Sequence, residues 1–261
     1  MANTVYENFI IEGKLNELLT TKLDAKTLMT IDNSLAESEG MIKKINKYTY
    51  TGAVEQLAKG AKNTVRGQIT YTTSPYEVKV AQQVFDYYDE DFMQDSHVVD
   101  FGVEGAAITM VNDMTKQYFD EIKKATITQE YDTTFSYDTV VDAIAKMNIE
   151  DETGLFLIVG NDLKAAIRKD ADFKSKELGK VIADGAIGTL CGVPVIHSKA
   201  VPANTAYLAT KEAVTLFTKK ESEVEQDRDK EARKNTVIMR KVNIVALTDA
   251  TKVVKITKKG A

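Results

Sequence analysis

The sequence has few of the residues that build disulfides, metal sites and membrane spans. It contains one cysteine, two histidines, three prolines and no tryptophan among 261 residues. A single cysteine excludes an internal disulfide and fits a reducing compartment. So few Cys and His side chains cannot form a closed zinc site, and we expect no metal or cofactor. The longest apolar runs are far below 18 residues, so we expect no membrane span.

Long blocks of one charge are missing as well. The 34 Lys and Arg and 39 Asp and Glu residues are mixed along the chain and give a net charge of −5. No basic block is present that would bind nucleic acid by its phosphates. The start, MANTVYENF, lacks the basic and apolar regions of a signal peptide. The hydrophobic content of 43% supports a folded core, in one large domain or two smaller ones.

The longest patterned stretch is Ser96–Lys124, which we predict to be one amphipathic helix, the spine helix. At 100° per residue its apolar side chains fall on one arc. That arc comprises Val99, Val103, Ala106, Ala107, Met110, Val111, Met114, Tyr118 and Ile122. Asp95 or Ser96 is the predicted N-cap. The rod would be about 40 Å long, against a usual helix of about 11–12 residues.

The chain before the spine helix is predicted to form extended segments that bury few apolar side chains of their own. Ala2–Leu35 is either an arm lying on another part or an ordinary N-terminal helix with Leu15, Leu18, Leu19 and Leu23 on one face. Ile42–Tyr50 and Gln68–Thr73 predict a long hairpin around the polar tip Gly52–Lys62. Such a ribbon is marginal alone and needs a neighbour.

The stretch from Pro75 to the spine helix combines a strand with an acidic cluster. Pro75 is expected to end the hairpin, and Tyr76, Val78, Val80 and Val84 to alternate with polar positions in one half-buried strand. Asp86–Asp95 could bind calcium, because hard cations take several carboxylates. Its spacing lacks the glycine and alternation of a calcium loop, so a solvated helix start is the favoured interpretation.

The chain after the spine helix is predicted to fold into a compact lobe of helices and strands. The predicted elements are helix Tyr137–Met147, buried strand Leu155–Val159, helix Leu163–Arg168, a bent strand pair in Gly185–Ser198, and strands at Ala206–Ala209, Ala213–Phe217, Thr236–Leu247 and Lys252–Thr257. Glu221–Lys234 is a highly charged run. The lone Gly160 lacks a GxGxxG or GK[ST] context, so we predict a plain turn capped by Asn161 or Asp162, not a phosphate site.

Catalysis has few candidate residues in this sequence. His97 and His197 lie in separate elements, and Cys191 has the surroundings of a small buried hydrophobe. A nucleophilic pair of Cys191 and His197 is conceivable, but no third orienting group is evident. We therefore predict no catalytic residues.

Several segments resemble the tailed-phage major capsid protein family in their order and spacing. They are Leu155–Asn161, Gly188–Ser198 followed by Val201 and Pro202, Ala213–Phe217, Val224–Asp229, Thr236–Asp249 and Lys252–Ile256. The earlier order of arm, extended loop and spine helix also matches. The resemblance covers almost the whole chain.

This resemblance implies an α+β fold of the Hong-Kong-ninety-seven type. It implies an N-terminal arm at 1–38 and an extended β-hairpin loop at 39–75. A peripheral domain with the spine helix would cover 76–125, and an axial domain 126–220. Return strands of the peripheral domain and a C-terminal strand would occupy 221–261.

The resemblance also implies the function and the partners. Subunits would form pentamers and hexamers in an icosahedral virion capsid, assembled in the host cytoplasm, around double-stranded DNA that is not specifically bound. The arm starts almost at Met1, so we expect a separate scaffold protein or none. A portal protein, and in some members a decoration protein, would be further partners.

Some members of the family join their subunits through a Lys–Asn isopeptide bond promoted by a glutamate. Lys59 or Lys62 and Asn235 resemble the joined pair. Arg240, Lys241 and Val242 stand where the glutamate is expected, a departure that argues against the cross-link.

Two other functions stay open from the sequence alone. One is an encapsulin-like shell that encloses cargo enzymes and shares the fold. The other is a soluble enzyme using Cys191, which predicts that Cys191→Ala abolishes activity.

Overall fold

A computed structural model describes residues 24–36, 40–150, 152–169 and 188–260. The predicted leucine face at Leu15–Leu23 lies outside them. The helices are α1 Asp24–Thr27, α2 Asp89–Gln94, α3 Val98–Ile122, α4 Tyr137–Met147 and α5 Asn161–Lys169. The strands are β1 Thr30–Asp32, β2 Ile42–Thr51, β3 Gln68–Glu77, β4 Lys79–Tyr88, β5 Ile127–Tyr131, β6 Leu155–Val159, β7 Thr189–Leu190, β8 Val193–His197, β9 Thr205–Thr210, β10 Val214–Asp229, β11 Lys234–Leu247 and β12 Val253–Lys258.

The spine helix, α3, is confirmed as one element of 25 residues, about 38 Å long. Every residue of the predicted apolar arc is buried, and Phe119 joins it. The predicted cap is wrong, because His97 occupies the N-cap position and makes no side-chain capping bond. Asp95 instead accepts a hydrogen bond from the His97 amide at 2.9 Å.

A four-stranded sheet of order β1-β10-β11-β4 packs against the spine helix. Strands β10, β11 and β4 are antiparallel, and β1 pairs with β10 in parallel. The inner face carries Val224, Val237, Met239 and Tyr87. Of the four apolar positions predicted for a half-buried strand, Val78 is buried and Tyr76 partly buried, whereas Val80 and Val84 are exposed, so the prediction is wrong for these two.

The charged run Glu221–Lys234 is largely strand. Strand β10 continues to Asp229, and β11 starts at Lys234 after a four-residue turn. Alternate residues face inward, and Ser222 and Val224 are buried. On the outer face Arg240 and Glu225 of the two strands form an ion pair at 3.0 Å. Glu223, Glu225 and Asp227 alternate with Ser222, Val224 and Gln226, so these three acids share the outer face of a long ribbon.

A six-stranded sheet of order β5-β12-β9-β6-β8-β7 forms the second lobe. All five side chains of β6 are buried, as the continuous apolar run predicts. Helices α4 and α5 contribute Val140, Ala143, Leu163 and Ile167 to its core.

The spine helix also joins this sheet to the four-stranded one. Tyr118, Phe119 and Ile122 from its last turns share one buried cluster with Ile158 and Tyr207 of the six-stranded sheet. The Phe119 and Tyr207 rings lie 6.5 Å apart. The helix therefore packs against both lobes. Among the described residues, no helix is long and apolar enough to cross a bilayer.

Candidate functional site

The hairpin of β2 and β3 projects from the folded body with almost no core. The strands pair from Ile42 opposite Glu77 to Thr51 opposite Gln68. Every side chain from Tyr48 to Pro75 is exposed, apart from the partly buried Glu55. The predicted hairpin is confirmed, but the predicted end at Pro75 is wrong. Strand β3 runs through this proline, as an edge strand of a ribbon can.

Large apolar side chains cover the hairpin without burial. Ile69 and Tyr71 are 69% and 68% exposed, and Tyr48 and Tyr50 are similar. Tyr48 and Tyr71 stand opposite each other, with ring centroids 6.1 Å apart. Contiguous exposed aromatic and aliphatic groups of this kind mark an interaction surface.

The base of the hairpin is anchored by a small apolar cluster. Leu35, Val78, Phe217 and Ala246 are its buried members. The Val78 amide donates to the Met41 carbonyl at 2.7 Å, which closes the hairpin at the point where β4 begins.

A hydrogen bond also joins the hairpin base to the spine helix. The Tyr76 hydroxyl donates to Glu121 Oε2 at 3.1 Å, and the same oxygen accepts from the Leu247 amide at 3.3 Å. Burial, followed by the charge of Glu121, raises the pKa of Tyr76 to about 12. The hairpin is therefore fixed at its base, while the side chains along its length stay exposed.

The tip of the hairpin is organised by one carboxylate. Glu55 accepts hydrogen bonds from the Thr64 amide at 2.7 Å, the Thr64 hydroxyl at 3.0 Å and the Val65 amide at 3.2 Å. The bonds from the Thr64 and Val65 amides, in that order, lower the pKa of Glu55. This carboxylate ties together the two sides of a tip that has no regular secondary structure.

The hairpin is basic, whereas the rest of the chain is acidic. Residues 42–77 carry six Lys or Arg and two Glu, for a net charge of +4. Because the whole chain carries −5, the remainder carries −9. Whole-chain composition concealed this contrast.

The acidic cluster at Asp86–Asp95 forms ion pairs with the turn between β10 and β11. Asp86 pairs with Lys234 and Asp89 with Arg228, each at 2.7 Å. Glu90 pairs with Arg233 at 2.9 Å. Within the part of the chain that the structure describes, no group of three Asp, Glu, His or Cys could hold a metal ion. These ion pairs join the end of β4 and the start of α2 to the β10–β11 turn and to the strand residues beside it, and composition alone could not assign them.

The structure does not bring Cys191 and His197 together as a catalytic pair. Cys191 lies in the β7–β8 bend, and its thiol is 3.7 Å from the Tyr137 carbonyl oxygen. His197, at the far end of β8, hydrogen-bonds through Nε2 to Asn161 Oδ1 at 2.6 Å. Partial burial, then Lys164 and Lys199, lower the pKa of His197.

Gly160 is part of a packed turn, not a phosphate cradle. Its carbonyl accepts from the Lys164 amide at 2.9 Å, so helix α5 starts directly after it. The predicted caps are wrong, because Asn161 contacts His197 and Asp162 accepts from the Asn204 amide. A Cβ on Gly160 would meet Asp162 Oδ1 at 2.9 Å, whereas the nearest backbone atom, the Val201 carbonyl oxygen, lies at an ordinary contact distance of 3.4 Å. The Asp162 side chain would therefore have to shift to admit a side chain at this position.

The residues that resemble an isopeptide pair have clear positions within the subunit. Lys59 and Lys62 are exposed in the hairpin tip. Asn235 is buried and donates through Nδ2 to Asp89 Oδ1 at 2.8 Å. Burial lowers the pKa of Lys241, one of the residues that replace the expected glutamate. The expected absence of the cross-link stays a prediction.

These features define a structural subunit with a hairpin that the other described residues leave exposed beyond its base, and with no catalytic constellation in the described residues. The model of the family described as Phage capsid protein matches residues 71–256, which is more than half of the chain. The chain belongs to that family. It is a structural, non-enzymatic capsid protein, and the enzyme hypothesis built on Cys191 is wrong.

A relative and two solved structures agree with this family. The "Major capsid protein" of Staphylococcus phage phiMR11 is 27% identical over 270 residues, covering 98% of this chain and 96% of the relative. The mature capsid of bacteriophage PhiM1 matches with a TM-score of 0.72 and 11% identity, covering 90% of this chain and 87% of the other. A virus-like particle from Pyrococcus furiosus matches with a TM-score of 0.66 and 9% identity, covering 97% and 100%. The predicted tailed-phage major capsid fold is confirmed.

Proposed function

We propose that this capsid protein assembles through pentamers and hexamers into the icosahedral shell of a tailed phage, around packaged double-stranded DNA. The observation that supports this most is the exposed hairpin, which is folded and anchored but is left uncovered by the other described residues. In a closed shell a neighbouring subunit supplies the missing burial, which isolated monomers cannot.

The proposal includes the partners and a division of the chain. The partners are a portal protein, a separate scaffold protein and, in shells that carry one, a decoration protein, with assembly in the host cytoplasm. The units are the arm 1–38, the loop 39–75, the peripheral domain 76–125, the axial domain 126–220 and the return strands 221–261. The two separate sheets support two domains, although β12 at the C-terminal end pairs within the six-stranded sheet and β10 starts before residue 221.

Negative-stain electron microscopy of the purified protein, with light scattering on the same sample, tests assembly directly. Uniform round particles of megadalton mass, or rings of five and six subunits, are the expected result. A monomer or dimer that stays so when a scaffold protein is added would contradict it.

Deleting the hairpin tip Ala53–Lys62 tests the role of the hairpin. The tip contributes no buried side chain, so the deleted protein should keep its circular dichroism spectrum and unfolding midpoint. It should form no closed particles. Intact shells from this variant would count against the proposal.

A compartment shell that encloses cargo enzymes is the second candidate, favoured by the likeness to the virus-like particle from Pyrococcus furiosus. Mass spectrometry of particles purified from the native source, together with nuclease treatment, distinguishes the two. Packaged DNA that resists nuclease supports the phage capsid, whereas a stoichiometric enzyme inside the shell supports the compartment.

A further inference from the structure

We propose that Glu121, near the end of the spine helix, is a positioning residue that fixes the direction in which the hairpin leaves the subunit. Its carboxylate bonds to the hairpin and to the body of the subunit at the same time. A hairpin with a fixed direction is what subunits need in order to close into uniform shells. This second part of the inference rests on the proposed function, whereas the direction of the hairpin is a property of the free subunit.

The Glu121 carboxylate joins three separate elements. Its Oε2 accepts from the Tyr76 hydroxyl at the hairpin base at 3.1 Å and from the Leu247 amide at the end of β11 at 3.3 Å. Its Oε1 accepts from Lys124 Nζ, just beyond the end of the helix. The Glu121 side chain is only 12% exposed, and a carboxylate is seldom buried so far unless it is paired. Each oxygen therefore has at least one donor, and one oxygen is shared between the hairpin and the body.

The stability of the spine helix does not explain an acid at this position. Glu121 is the second-last residue of the helix, and the last turn contains no basic residue. Because the helix dipole places partial negative charge at the C-terminal end, a carboxylate there is unfavourable for the helix itself. The donors that Glu121 holds, two of which come from other elements, give the acid its structural reason.

The other contacts at the hairpin base leave its direction free. The apolar cluster attaches the hairpin to the body, but hydrophobic contact is non-directional. Lys43 lies with its amine 4.7 Å from the centre of the Phe217 ring, and Lys219 donates to a backbone carbonyl, each from a flexible side chain. A hydrogen bond weakens steeply when its angle departs from linear. The bond between Tyr76 and Glu121 is therefore the contact that resists rotation of the hairpin.

The hairpin is a long lever about this bond. From Tyr76 to Gln68 strand β3 spans about 27 Å, at about 3.4 Å per residue. A rotation of about 10° at the base therefore moves Gln68 by about 5 Å. Packing contacts between side chains need heavy atoms within about 4.5 Å, so such a shift breaks contacts along the ribbon. A small change at Glu121 thus becomes a large change in what the hairpin meets on a neighbour.

Electron–electron double resonance between two spin labels measures the direction of the hairpin. The labels are attached at Gln68→Cys and Asn112→Cys, two exposed positions on the hairpin and the spine helix, in a Cys191→Ala background. Dilute, unassembled subunits should give one narrow distance distribution. Tyr76→Phe should at least double its width with an unchanged circular dichroism spectrum. The matched control Tyr71→Phe, at a tyrosine that is 68% exposed, should keep the narrow distribution.

Further variants show whether the hydroxyl acts through Glu121. Glu121→Ala should broaden the distribution at least twofold, and adding Tyr76→Phe to it should broaden it no further. Glu121→Gln keeps one acceptor oxygen, so its width should lie between those of the wild type and Glu121→Ala. Asp120→Asn removes an exposed acid from the same turn, one that pairs with Lys123, and should leave the width unchanged. A wild-type width in Tyr76→Phe, or additive broadening in the double variant, would overturn the positioning role.

Electron microscopy of assembled particles tests the consequence for the shell. Tyr76→Phe should give at least threefold fewer closed particles than Tyr71→Phe at equal protein concentration. If its hairpin is broadened in free subunits but its shells match the wild type in yield and diameter, Glu121 has no role in assembly. Failure of the wild type to assemble would contradict the proposed function alone, because the distances are measured in free subunits.

Discussion

The spine helix and the hairpin β2–β3 are both long, regular elements, but they differ in where their burial comes from. The helix buries ten side chains and packs against both sheets of its own subunit. The hairpin has backbone pairing over ten residues per strand and exposes nearly every side chain beyond its base. Regular backbone structure is therefore not evidence of a self-sufficient fold.

The difference teaches that stability and assembly are carried by separate parts of this chain. Burial of apolar area stabilises the body, at about 25 cal/mol per Å². The hairpin leaves such apolar area exposed, and we expect an interface between subunits to bury it. Substitutions in the two regions should therefore produce opposite phenotypes.

The largest expected effect is a core truncation compared with a hairpin truncation. Leu157→Ala, at a fully buried position, should lower the free energy of unfolding by about 2–5 kcal/mol, through lost burial and a cavity. Ile69→Ala on the hairpin should change it by less than about 0.5 kcal/mol and lower the shell yield. Urea unfolding followed by circular dichroism measures both. A large loss of stability from Ile69→Ala would break the comparison.

A smaller effect is expected from the buried tyrosine that links the two lobes. Burial raises the pKa of Tyr207 to about 12, above the value of about 10 in an unfolded chain. The unfolded chain releases this proton first, so the contribution of Tyr207 to stability is complete below about pH 10. It falls as pH rises toward about 12, by about 2 kcal/mol at most.

Phenylalanine substitutions identify the source of that loss. Tyr207→Phe should flatten the fall in urea-unfolding free energy between about pH 9 and about pH 11. Tyr76→Phe, at the half-exposed hairpin base, should flatten it less, because solvent screens this group. If the free energy of unfolding falls equally steeply with pH in the wild type and in Tyr207→Phe, the loss does not come from Tyr207.

The smallest effect on stability is expected at the hairpin tip. Glu55→Ala removes the carboxylate that accepts from Thr64 and Val65, so the tip should open. Trypsin should then cleave faster at Lys59 and Lys62, while the unfolding midpoint stays at the wild-type value. The rate of trypsin cleavage of Glu55→Gln, which keeps one acceptor oxygen, should lie between the rates of the wild type and Glu55→Ala. A lowered midpoint would mean that the tip supports the body after all.

The sequence predicted the long elements well because their patterns are strong. The arc of the spine helix repeats over 25 residues, and strand β6 is apolar at every position. Both patterns report burial directly. The hairpin was also predicted, from β-branched residues on both sides of a polar tip.

The predictions from the sequence were weakest for strands that carry apolar residues on both faces or charged residues on one face. Strand β4 offers Val80 and Val84 on one face and Phe85 and Tyr87 on the other, and only packing against the spine helix selects the second pair. The strand within Glu221–Asp229 has little apolar alternation because charged residues dominate it, and Glu225 pairs with Arg240 of β11. Such pairings are long-range and leave little local signal.

The candidate surfaces were only partly accessible to sequence reasoning. The need of the hairpin for a neighbour followed from its thin apolar content. The ion pairs of the acidic cluster Asp86–Asp95 with Arg228, Arg233 and Lys234 followed only from the structure.

Hydrogen exchange of the subunit before and after assembly tests burial of the hairpin by a neighbouring copy most directly. If a neighbour buries the hairpin, the amides of Ile42–Thr51 and Gln68–Glu77 should exchange at least tenfold more slowly in shells than in free subunits. The amides of Leu155–Val159 should exchange equally in both, since their burial is internal. Hairpin amides that exchange equally fast in both states would contradict burial by a neighbour.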